Sequence, residues 1–342
     1  MISIRQANLE SDRGLLIDAI RRFLSPQSDE QRFDWLYRKG PHGRASAWIA
    51  TDGVNGPLVG AAAAFPRRMY ADNASKVGCV LGDFFVAPEY RSLGPAVQLQ
   101  RACLGSVAPQ AFALGYDFPA AVMLPVYKRL AKSPEDKLVR LAKPLRADRK
   151  IRERVKVPLL AGGLALATNA VLKSLDRSST NGHGCEISLL DGPCSDEFTA
   201  LASAIGSQHG VCTERSGEYL NWRFRDHYSR HYDLLTARRQ NRLLAYLAYT
   251  QDSEDAEIVD LFGVNEPAVL LALIAAAIAR LRANKIVTLS APLLASHPWV
   301  PLFQKLGFRE RDSCPVITHR ASNGNSLANG QHWFLMQGDR ES

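Results

Sequence analysis

Val80-Leu81-Gly82-Asp83-Phe84-Phe85-Val86-Ala87-Pro88-Glu89-Tyr90-Arg91-Ser92-Leu93-Gly94-Pro95-Ala96-Val97 contains a change of period that organises the chain around it. Val80 to Val86 is short, apolar and rich in Val and Phe, which predicts a mostly buried strand. Pro88 ends it, because proline has no N–H to give to a ladder. From Pro95 the spacing turns helical, with Val97, Leu99, Ala102, Cys103 and Leu104 along one broad apolar side. Arg91, Ser92, Leu93, Gly94, Pro95 and Ala96 lie at the corner. A loop of exposed backbone N–H groups at a helix N-terminus is a site for an anion. Gly94 lets the backbone approach a ligand, and Ala96 keeps the next position small. Pro95 lacks an N–H, but at the first helical position that donor has no intrahelical partner anyway. The corner is expected to hold a phosphate group.

At 342 residues the chain is long enough for two domains, each with its own core. With 46% apolar and 22% charged residues, its composition is neither disordered nor fibrous. A formal net charge of +8 favours anionic partners, whether nucleotide-like cofactors, nucleic acid or an anionic membrane surface. The six cysteines (Cys79, Cys103, Cys185, Cys194, Cys212, Cys314) include no Cys-x-x-Cys pair and no spacing typical of zinc, so no metal is expected. Cys79 and Cys103 stand in apolar contexts and read as small core residues; a cytoplasmic location suits the set. Met1-Ile2-Ser3-Ile4-Arg5 lacks the long apolar region of a signal peptide.

Ile2 and Ile4 alternate with polar neighbours and predict a first strand. Leu15, Leu16, Ala19, Ile20 and Phe23 then share one helix face. A second short helix covers Gln31 to Tyr37 and stops at Lys39-Gly40-Pro41. Ala45 to Thr51 and Leu58 to Phe65 form a hairpin about Asp52-Gly53-Val54-Asn55-Gly56-Pro57. Beyond the phosphate corner and its helix come a short strand within Gly115 to Ala121, a helix from Met123 to Leu130, and a closing strand from Lys137 to Leu141.

Arg91-Ser92-Leu93-Gly94-Pro95-Ala96, set after a strand ending Val-x-Pro, resembles the acyl-CoA pyrophosphate loop (Gln/Arg)-x-x-Gly-x-(Gly/Ala) of the GNAT acyltransferase superfamily. The β-α-α-β-β-β-α-β-α-β order over residues 1–145 is also similar to that fold. The resemblance implies acetyl-CoA, or another acyl-CoA, as co-substrate. Its pyrophosphate would lie on Arg91 to Ala96 and its pantetheine arm along the main chain of Phe84, Phe85 and Val86. It also implies that Tyr127 lies near the sulfur and protonates the departing thiolate. The plainer alternative is a tyrosine packed on the core. The chain departs from the family's Tyr-x-x-Leu-Gly-aromatic pattern, having Ala131-Lys132 where the Gly-aromatic pair stands, which puts the last turn of that helix in question.

Asp83 is a lone carboxylate in an apolar strand, expensive to bury unpaired. Either it faces a cleft, where the resemblance implies a role in deprotonating the incoming amine, or it is a satisfied structural residue paired with Arg67 or Arg68. By period two it shares a face with Phe85, while Phe84 and Val86 take the other.

Lys143, Arg146, Arg149, Lys150, Arg152, Arg154 and Lys156 form a basic run, and Val157 to Leu172 then carries no charged residue. Such a segment is too short to span a bilayer, for which about 20 residues are needed. It reads as a linker with a docked helix, or as peripheral contact with an anionic inner membrane face through residues 143–172. Ser178 to Gly184 is turn-rich.

The second half repeats the first. Glu186 to Leu190 is a strand and Ser195 to Gly206 a helix; Tyr219-Leu220-Asn221-Trp222-Arg223-Phe224 echoes Phe33-Asp34-Trp35-Leu36-Tyr37. A hairpin from Tyr232 to Tyr249, a strand Ile258 to Phe262, an apolar helix from Pro267 to Leu281 and a last helix from Pro298 to Leu306 follow. The expected fold class is α/β (α+β): two tandem GNAT-like domains, each a mixed, mostly antiparallel twisted sheet flanked by helices. Their bounds are 1–145, a linker with apolar helix at 146–184, and 185–342. In the second copy Gly263-Val264-Asn265-Glu266-Pro267-Ala268 replaces the phosphate loop, Glu266 brings negative charge toward it, and Phe303 stands in the place of Tyr127. That copy is expected to shape substrate rather than to bind phosphate.

The resemblance thus implies an acyl-CoA-dependent N-acyltransferase, most simply an N-acetyltransferase. Its acceptor would be a small-molecule primary amine, an amino sugar or cell-envelope precursor by analogy with tandem proteins of bacterial polysaccharide biosynthesis. Aminoacyl transfer from tRNA, as in tandem GNAT-fold peptidoglycan-bridge enzymes, and a non-catalytic module binding acyl-CoA or membrane are the alternatives. No specific nucleic-acid partner is expected, since the basic residues fall in a linker without stacking aromatics.

Overall fold

The computed structural model describes residues 2–54, 56–108, 111–149, 151, 158–176, 184–321 and 332–341. The first half runs β1 (Ile2–Gln6), α1 (Arg13–Phe23), α2 (Glu30–Phe33) with a π-helical turn (Asp34–Arg38), β2 (Ser46–Asp52), β3 (Leu58–Ala71), β4 (Ala74–Val86), α3 (Leu93–Leu104), β5 (Leu114–Asp117), α4 (Leu124–Arg129) and β6 (Asp136–Pro144). Helix α5 (Pro158–Asp176) follows. The second half runs β7 (Glu186–Leu189), α6 (Asp196–Ile205), β8 (Val211–Thr213), α7 (Gly217–Leu220) with its own π-helical turn (Asn221–Arg225), β9 (Asp233–Arg239), β10 (Arg242–Asp252), β11 (Asp255–Gly263), α8 (Pro267–Ala283), β12 (Thr288–Leu294), α9 (Val300–Lys305), β13 (Arg309–Arg320) and β14 (Trp333–Phe334).

The strands form one mixed sheet in the order β1-β2-β3-β4-β5-β13-β6-β12-β11-β10-β9-β7, with β8 bonded to β3 and β14. Read from either edge, five strands of one half lead to the centre, where the halves exchange their sixth strands. β13 of the second half pairs with β5 of the first, β6 of the first pairs with β12 of the second, and β6 and β13 pair with each other. The expected division at residue 145 therefore divides the sequence but not the sheet. The strand expected over Lys137 to Leu141, to close the first half, runs from Asp136 to Pro144, and its residues Leu138 to Pro144 pair with Leu294 to Thr288 of the second half instead. The two π-helical turns meet at this centre: Trp35 and Trp222 stack at 4.6 Å, and each indole N–H donates to the other's backbone carbonyl at 2.9 and 3.0 Å. Arg67, buried, lies over the Trp222 ring. A core cluster continuous through both halves completes the joint.

Several strands run longer than their apolar runs predicted. Asp72 and Asn73, both at positive φ (53° and 58°), close a tight hairpin that carries β3 and β4 past the expected limits. Helix α3 begins at Leu93, so Pro95 is its third residue; a first-turn N–H has no intrahelical acceptor, and nothing is lost. Lys143, read from sequence as the first residue of the basic run, is a buried β6 residue whose Nζ donates to the Leu306 carbonyl at 2.6 Å. Lys150, Arg152, Arg154, Lys156 and Ser178 to His183 lie outside the described residues. Helix α5 leaves Leu160, Leu164, Leu166 and Val171 exposed, and no helix among the described residues is long and apolar enough to cross a membrane.

Candidate active site

Parallel pairing of β4 with β5 lasts only from Gly78–Leu114 to Val80–Tyr116, although β4 continues to Val86. Beyond Val80 the two strands part. A bulge sharpens the divergence: between the pairs Ala61–Phe85 and Ala63–Gly82, β4 holds one more residue than β3. Asp83 sits in this bulge at φ 46°, a left-handed conformation that Asp tolerates better than most side chains. The extra residue resets the alternation, so Leu81 and Phe84 both pack on the smaller core cluster beneath α3 although they are three residues apart.

The gap holds two adjoining cavities that share Leu24, Phe84, Ala120 and Met123 on their walls. One, of about 520 Å³, runs from Phe84, Phe85 and Val86 to Arg91, Ser92 and Ala96. It is lined chiefly by apolar side chains, as a slot for a thin flexible arm requires. At its outer end α3 begins, with the first-turn N–H groups of Leu93 and Gly94 free of an intrahelical acceptor. Gly94 is not at positive φ, and a Cβ built there meets nothing within 4 Å. Among the described residues no contact demands a glycine at this position. Pro95 and Ala96 are half-buried beside it, and Tyr90 holds the approach by donating to Asp52 at 2.9 Å. Arg91 donates from Nε to the Val86 carbonyl at 3.3 Å, and its exposed guanidinium stays beside the corner.

The other cavity, of about 380 Å³, is charged. Asp83 lies on its wall, but both carboxylate oxygens are engaged: Arg32 donates to them at 2.7 and 2.9 Å, and the Tyr37 hydroxyl donates at 2.8 Å. Burial opposes the charge on Arg32, yet Asp83 outweighs it and holds the guanidinium above its ordinary pKa. The sequence-based partners are corrected here: Arg67 lies over Tyr219 and Trp222, and Arg68 pairs with Glu214.

Tyr127 is fully buried and lies behind this cavity's wall rather than on it. Its hydroxyl accepts from Gln100 Nε2 at 2.7 Å and donates to Asp117, and burial raises its pKa. Asp117 and Gln100 do line the cavity. Burial pushes the Asp117 carboxyl up to about 7, the bond from Tyr127 pulling down and the charge of Glu341 pushing further up. A carboxyl balanced near neutrality on a cavity wall is suited to take up and return a proton. Sequence reasoning passed over Asp117, although Gly115-Tyr116-Asp117-Phe118-Pro119 offers the same signal as Asp83, a lone acid at the end of an apolar strand. It also passed over Arg340 and Glu341, which reach this cavity from the far end of the chain. Among the described residues no cluster of His, Cys, Asp and Glu is arranged to hold a metal ion.

No family model matches the chain, and no curated protein matches it by sequence. Its fold is similar to solved structures of the GCN5-related N-acetyltransferase kind. A probable N-acyltransferase from Enterococcus faecalis, itself described as of unknown function, matches with TM-score 0.66 and 12% identity over 94% of this chain and 72% of its own. A GCN5-related N-acetyltransferase from Anabaena variabilis matches with TM-score 0.67 and 11% identity over 94% and 73%. Another from Kribbella flavida gives TM-score 0.60 and 14% identity over 93% and 71%. At such identities the likeness is one of fold, and it runs through both halves.

Proposed function

We propose that the protein is an acyl-CoA-dependent N-acyltransferase, most simply an acetyltransferase, acting on a small primary amine. One observation carries the reading: the gap between β4 and β5 leads from an open helix N-terminus at Gly94, along Phe84 to Val86, to a carboxyl balanced near pH 7 at Asp117. The first-turn N–H groups of α3 and the Arg91 side chain receive the pyrophosphate, and the freed edge of β4 receives the pantetheine amides. The thioester then lies where the two cavities join.

The amine nitrogen attacks the thioester carbonyl carbon directly, and the C–S bond breaks as the amide forms. Most of the rate comes from holding the two reactants in line. The proton lost by nitrogen passes to Asp117, and the departing thiolate recovers a proton from the Asp117–Tyr127 pair. Tyr127 orients the carboxylate and keeps one oxygen in register. Asp83, with three hydrogen bonds already made, fixes the bulge on which this geometry rests. An amino sugar as acceptor is supported by family analogy alone.

The test is calorimetry of acetyl-CoA binding, paired with free-thiol release in the presence of amines, for the native chain and for Gly94→Asp. A side chain at this position meets open space, so the variant should melt at the native temperature while losing acetyl-CoA affinity by about 100-fold or more, as a carboxylate placed against phosphate requires. Unchanged affinity would remove the cofactor assignment.

A further inference from the structure

The 380 Å³ cavity is completed by residues from the far end of the second half. Residues 333–341 run back across the joint: Tyr116 donates to the Asp339 carbonyl at 2.9 Å, and Asp339 is held by the buried Arg215 at 2.9 Å. This anchoring delivers the next two residues to the first half's cavity. Arg340 lies over the Phe118 ring at 5.3 Å, and the Glu341 side chain crosses Gly82, its Cγ standing 2.7 Å from where a Cβ of residue 82 would be. A side chain at position 82 would displace Glu341, so the glycine makes room for it.

The charges on these walls are of both signs. Arg32 and Asp83 satisfy each other. Among the described residues neither Arg340 nor Glu341 makes an ion pair within 4 Å; both are half-buried in the same cavity, where Arg340 attracts the Asp117 carboxylate only at longer range and Glu341 repels it. A cation and a carboxylate left unpaired in one small cavity are a costly arrangement unless a ligand supplies the complementary charges. We propose that this cavity binds a zwitterionic acceptor, a primary amine that carries a phosphate or carboxylate a few bonds away. The ammonium lies between Glu341 and Asp117, and the anion lies on Arg340.

This assignment rests on the acyl-transfer reading for its consequence, because it places the attacking nitrogen beside Asp117. For binding it stands alone. Each end of the ligand meets a group of opposite charge, whereas a plain alkylamine leaves Arg340 unmatched and a plain anion leaves Glu341 unmatched. The arrangement selects for the pair of charges.

Calorimetry on the full chain with 3-aminopropylphosphonate, 4-aminobutyrate, propylamine and propylphosphonate tests it. The two zwitterions should bind about tenfold or more tightly than either singly charged probe, the gain expected from one added charge-assisted contact. Their ranking tells phosphate from carboxylate. In Arg340→Gln the zwitterions should lose their advantage over propylamine, and in Glu341→Gln the aminophosphonate should lose its advantage over propylphosphonate. Equal affinity of the native chain for zwitterions and singly charged probes overturns the proposal without recourse to the variants, as do advantages that survive both substitutions. Zwitterion preference without acetyl-CoA binding would discard the acyl-transfer reading and leave the pocket assignment standing. Acetyl-CoA binding without the preference would do the reverse.

Discussion

The chain builds the same gap twice and leaves only one open. In the second half β11 and β12 pair from Asp255–Thr288 to Glu257–Ser290 and then part, as β4 and β5 do. There the opening is filled by the protein itself. Leu294 donates to the Leu335 carbonyl, Met336 bridges to Leu293, and Gly338 packs against Val259 and Asp260. The corner differs in the same sense. A Cβ on Gly94 would meet nothing, whereas one on Gly263 would stand 2.2 Å from the Ala245 Cβ, and Glu266 at the head of α8 is tied to Arg239. Chemistry diverges with shape: three residues after Leu114 and Thr288, the open gap has Asp117 where the filled one has Ala291, and Tyr127 answers to Phe303. What the halves keep in common is informative too. Asp260 is gripped by Arg215 and Tyr246 as Asp83 is by Arg32 and Tyr37. A device present in the filled gap serves the fold, and the residues confined to the open gap are the ones to assign to chemistry.

The largest effect should come from erasing that divergence at Asp117. Asp117→Asn is expected to lower kcat by about 10²–10⁴, the usual loss for a proton-transfer group. The native pH profile of kcat/KM should rise through about pH 7 as Asp117 ionises, and the variant should lack that limb while retaining the one set by the amine. In Tyr127→Phe, which copies Phe303, the bond that lowers the Asp117 pKa is gone, so the limb should move to higher pH. Stability follows with a definite sign. The folded pKa of this acid is raised, so ionising it costs stability, and the cost grows as pH rises from about 4 to about 7. Asp117→Asn should therefore melt above the native protein at pH 8 and converge with it below pH 4. A profile identical to the native one would transfer the role elsewhere.

The next effect tests what the halves share. Asp83→Asn leaves the buried Arg32 without its counter-charge, at a cost of about 3–5 kcal/mol, whereas in Asp260→Asn the buried Arg215 keeps Asp339 at 2.9 Å. Denaturant unfolding should show a loss at both positions, the larger at Asp83. A much smaller loss at Asp83, together with a collapse of turnover in protein that is still folded, would return Asp83 to the catalytic base that its place on the cavity wall allows.

Much of this was legible in local pattern. Val80 to Val97 announces a strand, a corner and a helix because the period changes within one stretch, and the echo of Phe33 to Tyr37 in Tyr219 to Phe224 coincides with the two π-helical turns. The exchange of β6 and β13 was not legible, since both strands read alike whichever neighbour they choose. Nor was the Arg32–Asp83 pair, whose members stand 51 residues apart, nor the filling of one gap by Leu335 to Gly338. Asp117 was missed for another reason. Its significance comes from burial, from Tyr127 and from Glu341, and a strand's periodicity is silent on all three.

The smallest expected effect concerns the place where the family pattern is broken. Helix α4 ends with Ala131 at φ 54°, and Lys132 N–H bonds back to the Tyr127 carbonyl at 2.9 Å. Helix α9 ends in the same way: Gly307 is at φ 88°, and Phe308 N–H bonds to the Phe303 carbonyl at 3.1 Å. The turn in question therefore survives, and Ala131 carries the strain of a left-handed conformation that glycine adopts freely. Ala131→Gly should stabilise the protein by about 0.5–1 kcal/mol, less than the strain relieved because glycine also frees the unfolded chain. Gly307→Ala should do the opposite and by more, since its Cβ would also stand 3.0 Å from the buried Lys143 ammonium. Chemical denaturation of both variants reads the pair directly. Opposite signs would show the two helix ends to be one structure written with different residues, and a destabilised Ala131→Gly would mean that Ala131 is held there by contacts its counterpart lacks.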